Sequence, residues 1–290
     1  MLYYKNGERI ILNDIILKNT FQLFSNTNEK STIYLKNPFY SYLYIYLNNK
    51  KLLITCRHID NSLKIYDENK NETILFFNEF ISSIKKIPKS KSILLGMKSG
   101  KLIKYNIEKN KIENKIQAHE NMINVIEINY ILKIIITSGD DNYIYIRKLY
   151  DFELLTFIKI HNNYSIKTIK MNRMNLIYCL CSYENLSNKD DEDYGIQSKI
   201  FGYTVTGIQF ANYSSKDLLG NDFYFTNNLN ILVNKYGTNE LLILNSFDLS
   251  LKKIEKIKHF KSNSFIYDCK FLYYKDIQNK INKKELLIPY

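Results

Sequence analysis

The sequence predicts an all-β chain: a β-propeller of about seven four-stranded blades, with six as the alternative. Three observations carry that expectation. Segments 53–67, 93–107 and 135–149 each hold a short apolar run, a polar turn containing Asp-Asn or Ser-Gly, and an alternating apolar–polar run, the pattern of strand, hairpin turn and strand. The turn residues Asp60, Ser99 and Asp141 recur at intervals of 39 and 42, and Tyr66, Tyr105 and Arg147 repeat both intervals. Periods of roughly 40–45 residues mark propeller blades. Finally, Ile and Tyr dominate the apolar runs, which suits pleated, half-buried surfaces, and no helical pattern exceeds about two turns.

The elements follow in order. Residues 1–40 form a partial blade with two or three strands, around Arg9-Ile-Ile-Leu and Thr32-Ile-Tyr-Leu. Complete blades are expected at 41–77, 81–117 and 122–160. A fourth, 165–211, takes 199–207 as its third strand with Tyr203 at the closing position. The gap from Arg147 to Tyr203 is 56 residues, and the excess is the polar, acidic segment 184–195, read as a surface loop grown inside the blade. A fifth complete blade spans 220–257 with Leu244 closing. The partial blade 264–290 offers two strands, at 265–272 and 286–288. The whole of 1–290 is read as one domain, with N- and C-terminal strands pairing to hide their edges. Pro38 and Pro88 fall at or between blades, where a missing donor disturbs no ladder.

Composition narrows the function classes. Apolar residues make up 45 % and charged residues 24 %, values of a globular chain. The net charge of +12 admits nucleic acid or an anionic membrane as partner. Most of the excess is scattered Lys, however, and Arg, the residue suited to reading phosphates, is scarce, Arg9, Arg147 and Arg173 among the few. The surplus therefore reads as a solvated surface, and no specific nucleic acid is expected. The basic clusters Lys85, Lys86, Lys89 and Lys91, and Lys252, Lys253, Lys256 and Lys258, are the candidates for an anion site. Cys56, Cys179, Cys181 and Cys269 form no C-x-x-C pair, which argues against zinc. Cys179 and Cys181, two apart, fall on one strand face. Reduced cysteines, no signal-like start and no apolar run of membrane-span length lead to the expectation of a soluble, cytoplasmic protein. His58, His119, His161 and His259 are scattered, and no nucleophile–base pair, phosphate-cradling loop or metal cluster is visible. No catalytic residue, metal or cofactor is assigned.

The residues of the third repeat carry a resemblance. Ala118-His-Glu-Asn-Met-Ile-Asn-Val-Ile-Glu-Ile128 followed by Thr137-Ser-Gly-Asp-Asp-Asn142 resembles the glycine-histidine opening and serine-glycine-x-aspartate turn of the WD repeat. That resemblance implies a buried hydrogen-bonded set of His119, Thr137 and Asp141, with Arg147 where tryptophan would stand, and Asp60 as the turn aspartate of an earlier blade. The implied role is structural, because such a set satisfies buried polar groups at an inter-blade loop.

The order of repeat variants is similar to the C-terminal WD-repeat propeller of the BEACH-domain, neurobeachin-like family. Cys56, Asp60, Ser62 and Tyr66 keep one characteristic blade run, the His119 segment follows two blades later, and Ile200 to Gly207 matches a later strand. The resemblance covers about residues 40–260. It implies a non-catalytic scaffold in membrane and vesicle traffic that binds proteins through blade loops, works with a BEACH domain in cis or trans, and contacts anionic intracellular membranes peripherally. The alternative class is an anion-binding propeller that docks phosphoinositide membranes or RNA through basic loops.

Overall fold

In the computed structural model the described residues are 2–5, 8–12, 20–24, 30–34, 41–47, 50–56, 61–67, 71–161, 164–183, 197–257, 260–267, 271–276 and 281–286. Side chains are described at 52–56, 61–67, 71–161, 164–183, 197–257, 267, 272 and 284–286. These residues form 27 strands in seven antiparallel sheets and no helix.

Sheet 1 holds β1 (Leu2–Lys5), β2 (Glu8–Leu12), β3 (Thr20–Phe24) and β4 (Lys30–Tyr34). Sheet 2 holds β5 (Ser41–Leu47), β6 (Lys50–Cys56), β7 (Ser62–Tyr66) and β8 (Glu72–Phe76). Sheet 3 holds β9 (Ile81–Lys86), β10 (Ser92–Met97), β11 (Lys101–Asn106) and β12 (Lys111–Gln117). Sheet 4 holds β13 (Ile123–Asn129), β14 (Ile134–Gly139), β15 (Tyr143–Lys148) and β16 (Leu154–Lys159). Sheet 5 holds β17 (Tyr164–Met171), β18 (Ile177–Tyr183), β19 (Ser198–Tyr203) and β20 (Gln209–Ser215). Sheet 6 holds β21 (Leu219–Phe225), β22 (Asn230–Lys235), β23 (Glu240–Asn245) and β24 (Leu251–Lys256). Sheet 7 holds β25 (Phe260–Tyr267), β26 (Phe271–Asp276) and β27 (Ile281–Glu285). Within every sheet the strands lie side by side in chain order.

Local chemistry explains why the same meander recurs. The residue before the third strand of sheets 2, 3 and 4 is Asn61 (φ 50°), Gly100 (φ 83°) and Asn142 (φ 60°). Left-handed backbone there turns the chain tightly, and Asn and Gly tolerate it best. The closing residues of the repeats then face apolar partners on the second strand: Tyr66 opposite Leu53, Tyr105 opposite Ile93, Arg147 opposite Ile135, Tyr203 opposite Ile177 and Leu244 opposite Ile231. In sheets 3 to 6 the ladder to the fourth strand shifts immediately before the closing residue. One residue of the outer strand bulges out at each shift, namely Glu113, Leu155, Phe210 and Lys252. A bulge of this kind increases local twist.

The chain divides into two compact units, Tyr3–Ile160 and His161–Tyr290. In the first, Ile54, Leu63, Ile93, Leu95 and Met97 join sheets 2 and 3 into one core, while Leu94, Leu102, Ile123, Ile126 and Ile135 join sheets 3 and 4. The Ser82 hydroxyl, buried on β9, reaches the carbonyls of Gly96 (3.0 Å) and Ile123 (2.6 Å), so the first strands of sheets 3 and 4 also meet through a polar contact. In the second unit, Tyr178, Leu180, Ile200, Phe223 and Val233 join sheets 5 and 6, and Leu241, Ile243, Tyr267 and Leu272 join sheets 6 and 7. Each fully buried aliphatic or aromatic side chain contributes about 1.5–3 kcal/mol.

Three expectations at the chain ends change. Residues 2–36 supply four strands rather than two or three. The run 265–272 is not one strand: β25 ends at Tyr267 and β26 starts at Phe271, with Tyr267 opposite Leu272. Asp268 and Lys270 interrupt the apolar run at this point. Of the strand expected at 286–288, only Leu286 is among the described residues, and it lies just past the last described strand. β27 ends at Glu285 because pairing with β26 sets its register, and Leu286 is buried beside Tyr267 and Leu272 by packing instead. The acidic segment 184–195 and Asp60 lie outside the described residues.

Candidate functional site

The strongest polar constellation of the sequence lies where sheets 3 and 4 meet. The β12–β13 connection is anchored on Gly100 of the β10–β11 turn, whose carbonyl accepts the amides of both Ala118 and His119 at 3.0 Å. Gly100 is required twice over. Its φ of 83° belongs to glycine, and a Cβ would stand 2.1 Å from the His119 carbonyl. Gln117 ties the same connection from its side chain, donating to the carbonyls of Ser99 (2.5 Å) and His119 (2.7 Å).

Thus anchored, the His119 side chain is fully buried. Nδ1 lies 2.9 and 3.0 Å from the two carboxylate oxygens of Asp141, and Nε2 lies 2.8 Å from the Thr137 hydroxyl. A carboxylate only accepts, so Nδ1 donates, and in the neutral ring Nε2 accepts from Thr137. Asp141 also accepts the amides of Glu120 (3.0 Å) and Tyr143 (3.2 Å). Burial pushes its carboxyl up, but His119 and the two amides outweigh that and hold it below its ordinary value. Gly139 makes the approach feasible, since a Cβ there would meet His119 Nδ1 at 2.8 Å.

The structure therefore brings His119, Thr137 and Asp141 together, and it places Arg147 elsewhere. Arg147 donates to the carbonyls of Phe152 (3.2 Å) and Ala118 (3.4 Å), holding the connection just ahead of His119. Its Nε is buried without a partner, and burial pulls the guanidinium below its ordinary value. A guanidinium in the tryptophan position thus reaches the loop backbone and not the Thr137 hydroxyl. The aromatic wall falls to Tyr145, whose ring meets the His119 ring edge-to-face at 4.7 Å. Tyr145 stands directly opposite Thr137 in the ladder, so hairpin register was the signal that would have found it.

The basic clusters are largely engaged. Lys85 pairs with Glu127 (2.5 Å) and Lys91 with Glu108 (2.6 Å), Lys86 donates to the Ser90 carbonyl, and Lys89 sits 5.8 Å over the Tyr130 ring. In the second unit, Lys253 pairs with Glu255 (2.8 Å) and Lys256 approaches Glu240 (3.9 Å); Lys252 is the bulged residue of β24. Lys258 lies outside the described residues. Among the described residues no group of three or more His, Cys, Asp or Glu converges as metal ligands would. Cys56, Cys179 and Cys181 are buried, with the last two sulfurs 3.3 Å apart.

No protein-family profile and no curated protein matches the sequence. Solved structures do match. A chain in the crystal structure of the mitotic checkpoint complex superposes with a TM-score of 0.71 at 11 % identity, covering 99 % of this chain and 91 % of that one. The fold is a WD40-type β-propeller. A second likeness to the propeller is the crystal structure of the computationally designed Ika8 protein, with a TM-score of 0.64 at 8 % identity, covering 98 % of this chain and 95 % of that one. At such identities the likeness is one of fold, and the His119 set explains how this propeller joins one blade to the next.

Proposed function

We propose that the chain is a non-catalytic protein-interaction scaffold. The observation that carries this reading is the state of its best acid–base constellation: both ring nitrogens of His119 are occupied by Thr137 and Asp141 in a buried site. A histidine so committed joins blades and has no free nitrogen with which to move a substrate proton. The solved chain in the mitotic checkpoint complex works inside a protein assembly, and propellers in general present loops to partners from a rigid frame.

The finer reading is a BEACH-type adaptor in membrane and vesicle traffic, cytoplasmic and peripheral to intracellular membranes, with a BEACH domain in cis or trans. The order of sequence variants over residues 40–260 supports it. The alternative, an anion-binding propeller on phosphoinositide membranes or RNA, draws no support from clusters whose lysines are paired with Glu127, Glu108, Glu255 and Glu240.

Affinity purification of the intact chain from its native cells, with crosslinking before lysis, tests the reading. Stoichiometric protein partners that include membrane-traffic components are expected. A chain recovered alone sinks the scaffold, and partners confined to another process sink the traffic assignment.

A further inference from the structure

Within the first unit, a cavity of about 440 Å³ opens between the β8–β9 connection and the outer half of sheet 3. That is the size of a ligand pocket, roughly 300–1,000 Å³. Its floor is Met97 and Ile103, both buried. Phe77 forms one wall, fixed edge-to-face on Tyr105 at 5.7 Å. Ile112, 46 % exposed, forms the other. The reason for the opening is the ladder: Ile103 stands opposite Lys115 and Tyr105 opposite Ile112, so these four side chains share one face of sheet 3. Sheet 2 covers the inner part of that face and leaves the outer part bare.

The rim is charged unequally. Glu79 accepts from the Ser99 amide (3.1 Å) and pairs with Lys101 (3.1 Å). Burial pushes its carboxyl up, but Ser99 and Lys101 hold it below its ordinary value, so it is ionised and already neutralised. Lys115, exposed on β12, has no carboxylate partner among the described residues and leaves one positive charge uncompensated at the mouth. β12 is the last strand of sheet 3, with a neighbour on one side only. Beyond the bulge at Glu113 its residues 114–117 pair regularly with β11, so a short regular edge runs along the cavity.

We infer that this cavity is a docking site for an extended segment of a partner protein that carries a bulky apolar residue and, two residues on, an aspartate or glutamate. The spacing follows from the geometry. In an extended segment residues two apart point to the same side, so an apolar side chain set on Met97 and Ile103 directs the acidic one to Lys115. The segment therefore lies across the face of sheet 3, over Ile103 of β11 and its ladder partner Lys115 of β12. The inference rests on the scaffold reading and names one surface that such a scaffold uses.

The test uses the full chain and labelled heptapeptides Gly-Ser-X-Ser-Asp-Ser-Gly, with X as Leu, Ile, Phe or Tyr, in fluorescence anisotropy. At least one is expected to bind saturably, with Kd raised about tenfold or more by Lys115→Glu and by Ile112→Asn. The variant Lys111→Glu, on the same strand but outside the cavity, is expected to leave Kd unchanged, and a peptide with Lys for Asp is expected not to bind. Absence of binding by all four peptides overturns the inference, as does equal binding to the Lys115→Glu chain. Anionic phosphatidylserine vesicles that bind the chain through Lys115 while no peptide does place a headgroup at the rim, which also overturns it. If native partners co-purify undiminished with the Lys115→Glu chain, the cavity is excluded while the scaffold stands; a wild-type chain that purifies alone refutes the scaffold itself.

Discussion

Nδ1 of His119 lies almost equidistant from the two carboxylate oxygens of Asp141, at 2.9 and 3.0 Å, across a separation of 22 residues in sequence. One residue comes from the connection into sheet 4 and the other from the turn between its second and third strands. The contact fixes where a new blade starts relative to its own hairpin. Asp141→Ala leaves His119 Nδ1 and the amides of Glu120 and Tyr143 without their acceptor. A loss of about 1–3 kcal/mol is expected, read as a lowered urea midpoint with unchanged slope. A midpoint equal to that of the wild type would show that the carboxylate is merely solvated.

The same carboxylate makes stability pH-dependent. Its folded value is held below its unfolded value of about 4, so its contribution is fully present above that value. It is lost as pH falls through the lower folded value. The stability gap between wild type and Asp141→Asn is therefore expected to be constant from about pH 5 to 7 and to shrink below about pH 4. Urea titrations across that series check it, and a gap that widens in acid would reverse the sign of the argument.

Arg147 is expected to matter through the backbone it holds. Arg147→Met keeps the length and removes the donors to Ala118 and Phe152, and about 1–2 kcal/mol of stability is expected to go with them. Hydrogen exchange at residues 118–120 should quicken in that variant before exchange in β14 does. Uniform quickening across sheet 4 would instead assign Arg147 a packing role.

Gly100→Ala is expected to be more damaging than either, by more than about 2 kcal/mol, because a positive φ and a backbone clash add. Gly237, also at positive φ (70°) but with open space around its Cβ position, is the control. Gly237→Ala carries only the backbone strain, about 1 kcal/mol. Equal losses at the two positions would remove the argument from the His119 carbonyl.

The buried thiols give a kinetic readout. Burial, with Cys181 beside it, pushes the Cys179 thiol well up, and thiolate is the reactive form. Iodoacetamide is expected to label Cys179 and Cys181 in native protein only as fast as β18 opens, and to label both at once in urea. Rapid native labelling of either, located by mass spectrometry, would contradict the burial.

The blade pattern was legible because it depends on local chemistry repeated at a fixed interval. Asn61, Gly100 and Asn142 need left-handed backbone wherever the third strand begins, and each announces itself in the sequence. The polar set was legible for the same reason, apart from its aromatic member. A search by spacing leads to Arg147, whereas the ladder puts Tyr145 opposite Thr137. The lysine clusters could not be judged from spacing alone, because some partners are far away in sequence: Lys85 finds Glu127 of the next blade, 42 residues on, and Lys91 finds Glu108 across its own hairpin. Leu286 misled in the opposite direction, its apolar character reflecting burial against Leu272 rather than membership of a strand. The cavity has no local signature, since it exists only through the way sheet 2 covers part of sheet 3.

The bulges at Glu113, Leu155, Phe210 and Lys252 bear on how the protein survives at high concentration. The fourth strands carry exposed apolar side chains, among them Leu154, Phe157, Leu251 and Ile254. Straight, regular edges of that composition template intermolecular sheets and, in time, fibrils. One displaced residue in each of these strands interrupts the row of outward donors and acceptors after a few positions, so two copies cannot zip edge to edge along their length. Deleting the exposed Leu155 from β16 would make that edge continuous, converting it into a nucleus for aggregation while every buried side chain of the sheet is kept.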